Sequence, residues 1–340
     1  MARALAASIR KGQEAYNGCA YTTNFALEYH ASYQTDTEYQ TSTVSQDYLA
    51  EATLTSGYTL NMENGGTFDL GKLFNRGAAY FEGSQKEISK INHQIQVKNG
   101  FNKGDQSFAE DYSYHHLFGI EFNGQELKAK GNDNMQDKIN PGNDRAETFS
   151  GKISREIVKT YAREAVESAF KRVVYLETWS NVSAFQGAIT SYFKELSLDT
   201  IEQASSFVNN NKVKLTKENG LIKAEFELKG SEVLSYIFKK ANSINKTIPC
   251  SCTIDAQKQI ITKYDYDFKG IYEDLLASEK GDKKQYEYSV ERFYLRGATN
   301  DIPLDQLKLN GDFQEYTKDN SSEFMQGFLD HVIPHVAKES

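Results

Sequence analysis

The sequence predicts an α+β fold: a large, curved, mostly antiparallel sheet (a half-barrel) with helices packed on its concave face. Three observations lead there. Long stretches of the first half alternate apolar and polar residues with a period of two. They stop at Gly-containing turns, Asn64-Gly65-Gly66, Asn99-Gly100 and Asn123-Gly124. Beyond residue 150 the period switches to that of helices, and from residue 211 strands return.

Composition bounds the rest. The chain has 340 residues, 39% of them hydrophobic, enough for one large domain over 1–340. Within it we expect a strand-rich meander over 1–128, a polar loop over 129–150, and helices plus a strand-helix-strand return over 151–340. The 39 basic and 47 acidic residues leave a formal charge of −8. That excludes a dedicated binder of nucleic acid or of an anionic membrane, which needs a basic excess. No apolar run approaches the roughly 18 residues of a bilayer-crossing helix. The 21 Tyr and 20 Phe, against one Trp and four Pro, suit sheets. Tyrosine-rich strands with polar outer faces point to an extracellular or cell-envelope location. Met1–Arg10 has no h-region, so a signal segment is expected to be absent from this sequence.

The elements follow in order. Residues 2–16 suit a short helix, with Leu5 and Ile9 four apart. Thr23, Phe25, Leu27, Tyr29, Ala31 and Tyr33 share one face of a strand. Extended segments follow around Leu54–Met62, Ile91–Val97 and Tyr112–Phe122. Residues 129–147 are rich in Gly, Asn and Asp and read as a loop. They fail the calcium-loop template, because Lys138 stands where Gly is needed and Asp144 where Glu is needed. In 153–176, apolar pairs from Ile157/Val158 to Val173/Val174 recur every four residues. They predict a central helix whose buried face, Phe170 included, rotates along its length. Further helices are expected from Ser183 and from Thr200, and over 231–242. Asn219-Gly220 closes a hairpin, and Cys250, Cys252 and Ile254 share a strand face. Ile260, Thr262, Tyr264, Tyr266 and Phe268 share the next, and Tyr286, Tyr288 and Val290 begin another. A last helix starts at the cap-like Asn320, buries Phe324, Met325, Phe328, Leu329, Val332 and Ile333, and stops at Pro334.

Chemistry is sparse. Cys250 and Cys252 lie two apart, so their side chains run parallel and a bond between them would be strained. Buried free thiols are expected, with a Cys19 bridge to either left open. His115 and His116 face opposite ways on a strand and cannot chelate one metal. His116 shares its face with Phe118 and Ile120, and His93 with Ile91 and Ile95, which suits packed histidines. Asp265 and Asp267 share a face with Lys263 and Lys269, a solvated strand surface rather than a glycosidase pair. No nucleophile elbow, P-loop, dinucleotide fingerprint or zinc motif occurs. No catalytic residues, metal or cofactor are therefore expected. Asn181, Asn245 and Asn320 open glycosylation sequons.

The stretch Ile248–Phe268 (IPCSCTIDAQKQIITKYDYDF), with the hairpin and helix before it, resembles the LolA/LprG-like cell-envelope lipoproteins. The resemblance extends to the order of elements across most of the chain. It implies a half-barrel plugged by helices, with no enzymatic activity. The expected function is binding of an apolar or amphipathic ligand, a lipid or lipoprotein, in the cavity between sheet and helices. Phe25, Tyr29, Tyr33, Tyr264, Tyr266 and Phe268 are the expected ligand-binding residues. A lipid-anchored form would lie peripheral to a membrane. The competing expectation is a surface protein that binds a protein or glycan through exposed tyrosine-rich strands.

Overall fold

The computed structural model describes residues 19–59, 78–98, 104–160, 213–231, 246–255, 260–278 and 280–332. The described strands are β1 (Cys19–Asp36), β2 (Gln40–Thr59), β3 (Ala78–Val97), β4 (Gln106–Phe122), β5 (Glu126–Asp137) and β6 (Arg145–Ser154). After them come β7 (Lys214–Glu218), β8 (Leu221–Lys229), β9 (Thr247–Asp255), β10 (Ile260–Asp267), β11 (Gln285–Pro303) and β12 (Gln314–Tyr316). All twelve join one open sheet in the order β12-β6-β5-β4-β3-β2-β1-β11-β10-β9-β8-β7. Every pairing is antiparallel except that of β12 with β6. The meander β1–β6 therefore grows from one side of β1, and β11 to β7 from the other.

The meander expected before residue 123 is present. Between Cys19 and Phe122 the described residues are strands and their turns, with no helix among them. The polar loop expected over 129–150 is not there: β5 and β6 occupy most of it, joined by a turn at 138–144. Its Gly, Asn and Asp residues suggested a loop, but Leu127, Ala129, Gly131 and Asp133 are buried at alternate positions of β5. Neighbouring strands supply the backbone partners that a loop would take from water. The helix expected over 153–176 also starts differently. Ile153 and Ser154 still belong to β6, and α1 (Arg155–Val158) follows. Phe170 and the rest of that helix lie outside the described residues. So do the helices expected over 2–16, from Ser183 and Thr200, and most of 231–242. Two further helices are α2 (Lys269–Ser278), which the sequence reading left out, and α3 (Ser321–Gly327). A π-helical turn, Phe328–Val332, continues α3.

β11 shows how register keeps one face apolar. Its sequence alternates as Tyr286, Tyr288, Val290 and then changes phase to Phe293, Leu295. The register against β1 shifts there: Glu28 pairs with Arg292 but Tyr29 with Val290, leaving Glu291 as a bulge. The extra residue returns Phe293 and Leu295 to the face of Val290.

That face carries two apolar clusters. One spans β8–β11 and includes Phe226, Leu228, Tyr266, Phe268 and Phe293, with Ile271, Leu275 and Leu276 of α2 packed on it. The other spans β3–β6 and includes Phe81, Ile120, Phe122 and Ile153, covered by Phe324, Phe328 and Val332. Both helical covers thus lie on one side of the sheet. The opposite side is laced with ion pairs. Arg292 bridges Glu28 and Glu51 at 2.7 and 2.8 Å, and Lys130 meets Glu82 at 2.9 Å. Part of it is covered by 304–309, through Leu304 and Leu309 against Tyr80. Glycine makes both approaches close. A Cβ on Gly131 would lie 1.8 Å from the His331 carbonyl oxygen, and one on Gly119 would lie 2.6 Å from Leu309 Cδ2.

Candidate functional site

The helix-bearing face holds all six residues expected to bind ligand. Tyr264, Tyr266 and Phe268 are buried, at 2%, 4% and 2% exposure. Tyr264 and Tyr266 lie opposite Cys252 and Cys250 in the β9–β10 register. Phe268 packs on Phe293 with ring centroids 5.2 Å apart, and Phe25 meets Phe293 edge-on at 5.9 Å. Tyr29 touches Tyr272 of α2 at 5.6 Å and Tyr48 of β2 at 5.4 Å. Tyr33 lies farther along β1, beside Tyr286 at 6.5 Å, with Lys283 Nζ 4.0 Å from its ring centre. Five of the six therefore join the cluster under α2 or its margin, and Tyr33 stands at the upper end of β1. Cys250 and Cys252 are free and buried beneath the same cluster. Burial pushes both thiols up, Cys252 to about 12.

Between the two helical covers lie the middle residues of β2 and β3. Tyr48 and Tyr112 both donate to Glu87 Oε1, at 3.2 and 2.7 Å. Burial first, and then the Glu87 carboxylate, raise both phenols above their ordinary range. With Tyr29 against Tyr48, this makes a half-buried strip of rings whose hydroxyls converge on one carboxylate. Such a surface offers apolar ring faces and polar points together.

A charged group is buried beside that strip. His116 and Asp133 are both at 0% exposure and are neighbours in the β4–β5 register. His116 stacks between Tyr114 and Phe118, at 6.2 and 5.8 Å. Its Nε2 donates to the Val332 carbonyl at 3.2 Å, and its Nδ1 lies 3.8 Å from Asp133 Oδ1. Arg145 Nη2 of β6 reaches Asp133 Oδ2 at 3.2 Å. Glu147, opposite Asp133 in β6, faces His331 Nδ1 at 3.4 Å. Among the described residues, neither Asp133 oxygen has a hydrogen bond beside the ion pair with Arg145. Burying such charges costs several kcal/mol per ion, so an arrangement like this is weak evidence for stability.

The sequence placed His116 correctly on the face of Phe118 and Ile120, and left His115 exposed. His93 is half-buried, and its Nε2 lies 2.7 Å from Ser42 Oγ. Asp133, Arg145 and Glu147 were missed because they fall in the presumed loop. The alternation Leu127, Ala129, Gly131, Asp133, Met135 against Lys128, Lys130, Asn132, Asn134 was the available signal. Asp265 and Asp267 lie on the polar side. Asp265 pairs with Arg296 at 2.9 Å, and Asp267 Oδ1 accepts from the Lys269 N–H at 3.0 Å. Among the described residues no cluster of His, Cys, Asp and Glu has the geometry to hold a metal ion. No helix among them is long and apolar enough to cross a membrane. No protein-family model, curated protein or solved structure matches the chain.

Proposed function

We propose that the chain is a non-catalytic carrier whose helix-bearing sheet face binds an apolar or amphipathic ligand, a lipid or lipid-like molecule. In this reading the sheet curves around that face as in the LolA/LprG-like half-barrels, and the protein works outside the cell or in its envelope. One observation carries the reading: the tyrosine strip on β2–β4 lies between the two helical covers and ties its hydroxyls to Glu87. An acyl chain or fused ring would lie along the ring faces, and a polar end would meet the hydroxyls. Phe25 and Tyr29 form the near wall, and Tyr264, Tyr266 and Phe268 support it from below.

The test is organic extraction of the full-length protein after native purification, read by mass spectrometry. A single amphipathic species at roughly one per chain is expected, and replacing Tyr48 and Tyr112 together with Ser should lower its occupancy. Extracts indistinguishable from those of an unrelated protein, together with no uptake from mixed-lipid vesicles, would overturn the reading. A second reading has its own observation. Tyr33, Tyr286 and the 37%-exposed Tyr288 form a chain of rings at the upper end of β1 and β11. That surface suits a glycan or protein partner. Loss of glycan-array binding on Tyr288→Ser, with the extract unchanged, would favour it.

A further inference from the structure

On the polar side of the sheet, one row of side chains crosses the strands at right angles. In the register from β11 to β5, Arg296, Asn24, Thr53, Ser84, Leu117 and Asn132 stand opposite one another in succession. Beyond Arg296 the row continues through Asp265, Ser251 and Glu225 to Lys214 on β7. Their strand neighbours Leu295, Phe118 and Cys250 belong to the apolar clusters of the other face, so this row points away from the helical covers.

Two depressions lie on the row, one on each side of β1. The first, of about 430 Å³, is lined by Thr53, Ser84, Leu117 and Asn132 together with the Glu82–Lys130 ion pair. The second, of about 510 Å³, is lined by Glu225, Ser251, Asp265 and Arg296, with Lys214 and Lys223 at its margin. Asn24 stands between them, and Thr53 Oγ1 donates to its Oδ1 at 2.9 Å. Leu309 packs on Gly119, so the 304–309 segment borders the first depression on one side. On the other side Glu51 holds Arg292 and Lys86, at 2.8 and 3.7 Å.

We propose that this groove binds an extended, uncharged polysaccharide that lies across the strands, with subsites on either side of Asn24. The site is on the opposite face from the proposed lipid site and does not depend on that reading. Three features point to this ligand. First, the charges are matched. Lys214, Lys223 and Arg296 meet Glu225 and Asp265, and Lys130 meets Glu82, whose other oxygen accepts from Tyr80 at 2.6 Å. A polyanion would find those cations already engaged. Second, the hydroxyls and amides of Asn24, Thr53, Ser84, Asn132 and Ser251 are groups that both donate and accept, as sugar hydroxyls do. Leu117, 42% exposed, is the one apolar side chain in the row and offers a surface to the C–H face of a sugar ring. Third, the row repeats once per strand, at about 4.8 Å, close to the advance of one sugar in an extended glycan. A chain lying along it would present successive sugars to successive strands.

Calorimetric titration of the full-length protein tests this. The probes are cellohexaose, mannohexaose and xylohexaose, with their disaccharides, and a galacturonate hexamer as the charged counterpart. At least one neutral hexasaccharide should bind, roughly tenfold or more tighter than its disaccharide as further subsites fill, and the galacturonate hexamer should bind more weakly than it. Leu117→Glu places a charge in the first depression and should weaken binding roughly tenfold. Asn132→Ala should weaken it by less, and Asn92→Ala, on the same face toward the other end of β3, should leave it unchanged. Leu117 and Asn132 are both exposed, and should Leu117→Glu not fold, Asn132→Ala carries the test alone. Binding by none of the three neutral hexasaccharides would overturn the proposal. So would equal affinity for disaccharide and hexasaccharide, preference for the galacturonate hexamer, or affinity unaltered in the Leu117 and Asn132 variants.

Discussion

The helix-bearing face is filled differently at its two flanks. Under α2, adjacent strands contribute Phe226, Cys250, Tyr266, Leu295 and Phe293, an apolar surface on which a regular helix lays Ile271, Leu275 and Leu276. Under α3 and its π-helical turn, the same pleat places the pair His116 and Asp133 next to the pair Phe118 and Gly131, and the cover touches glycine backbone. The first flank is side chain on side chain. The second combines close backbone approach with buried charge. Hydrophobic burial stabilises the first whatever the pH, at about 1.5–3 kcal/mol per large side chain. The second gains less per residue, because buried ionisable groups cost desolvation that their pairing has to offset. One sheet therefore carries two walls that are packed in different ways.

The sharpest break of this contrast is thiol reactivity. If the α2 flank is dry, Cys250 and Cys252 stay protonated. Cys252, pushed from 9.0 to about 12, has roughly a thousandfold less thiolate near neutrality. Labelling by a neutral maleimide should be negligible in the folded protein at pH 7 and complete at both residues in urea. Fast labelling of the native chain would place water in that flank. Next comes Phe268→Ala, which empties the centre of the same cluster. It should cost about 3–5 kcal/mol, lowering the urea midpoint. An unchanged midpoint would mean the cluster bears little of the stability.

Gly131→Ala probes the other flank. Its Cβ has no room beneath His331, so the turn must lift, at about 1–3 kcal/mol. Faster exchange should appear at 328–332 and not in α2, and spread to α2 would show that the flanks are coupled. The smallest effect is expected at Asp36, in the region between the flanks. There Lys284 and Lys98 hold its carboxyl well below the usual carboxylate range, with Thr41 adding a hydrogen bond. A depressed value means the contribution is present above the ordinary Asp range and lost as pH falls through the folded value. Asp36→Asn should therefore destabilise slightly at pH 7 and progressively less as the pH is lowered below the ordinary Asp range, read by thermal melts across that range.

What the sequence determined is the period-2 wall. Phe25, Leu27 and Tyr29, or Phe118, Ile120 and Phe122, go to one face because successive strand residues point opposite ways. The turns at Gly124 and Gly220 and the parallel cysteines follow from equally local rules, while the turns expected at Asn64-Gly65-Gly66 and Asn99-Gly100 lie outside the described residues. Local rules misread β5, where Gly131 and Asp133 signal a loop taken alone. They are strand residues because β4 and β6 satisfy their backbone and the C-terminal turn needs glycine's missing side chain. α2 was legible in the spacing of Ile271, Leu275 and Leu276, yet its place against β11 was not. Only the tertiary structure decided that β1 pairs with β11, joining the two halves of the chain into one sheet. It alone brought His331 to Glu147, and His116 to Val332 across 216 residues. Side-chain alternation is a property of a few consecutive residues. Which strands become neighbours, and which charges then share one buried site, depends on how the whole chain closes its backbone hydrogen bonds.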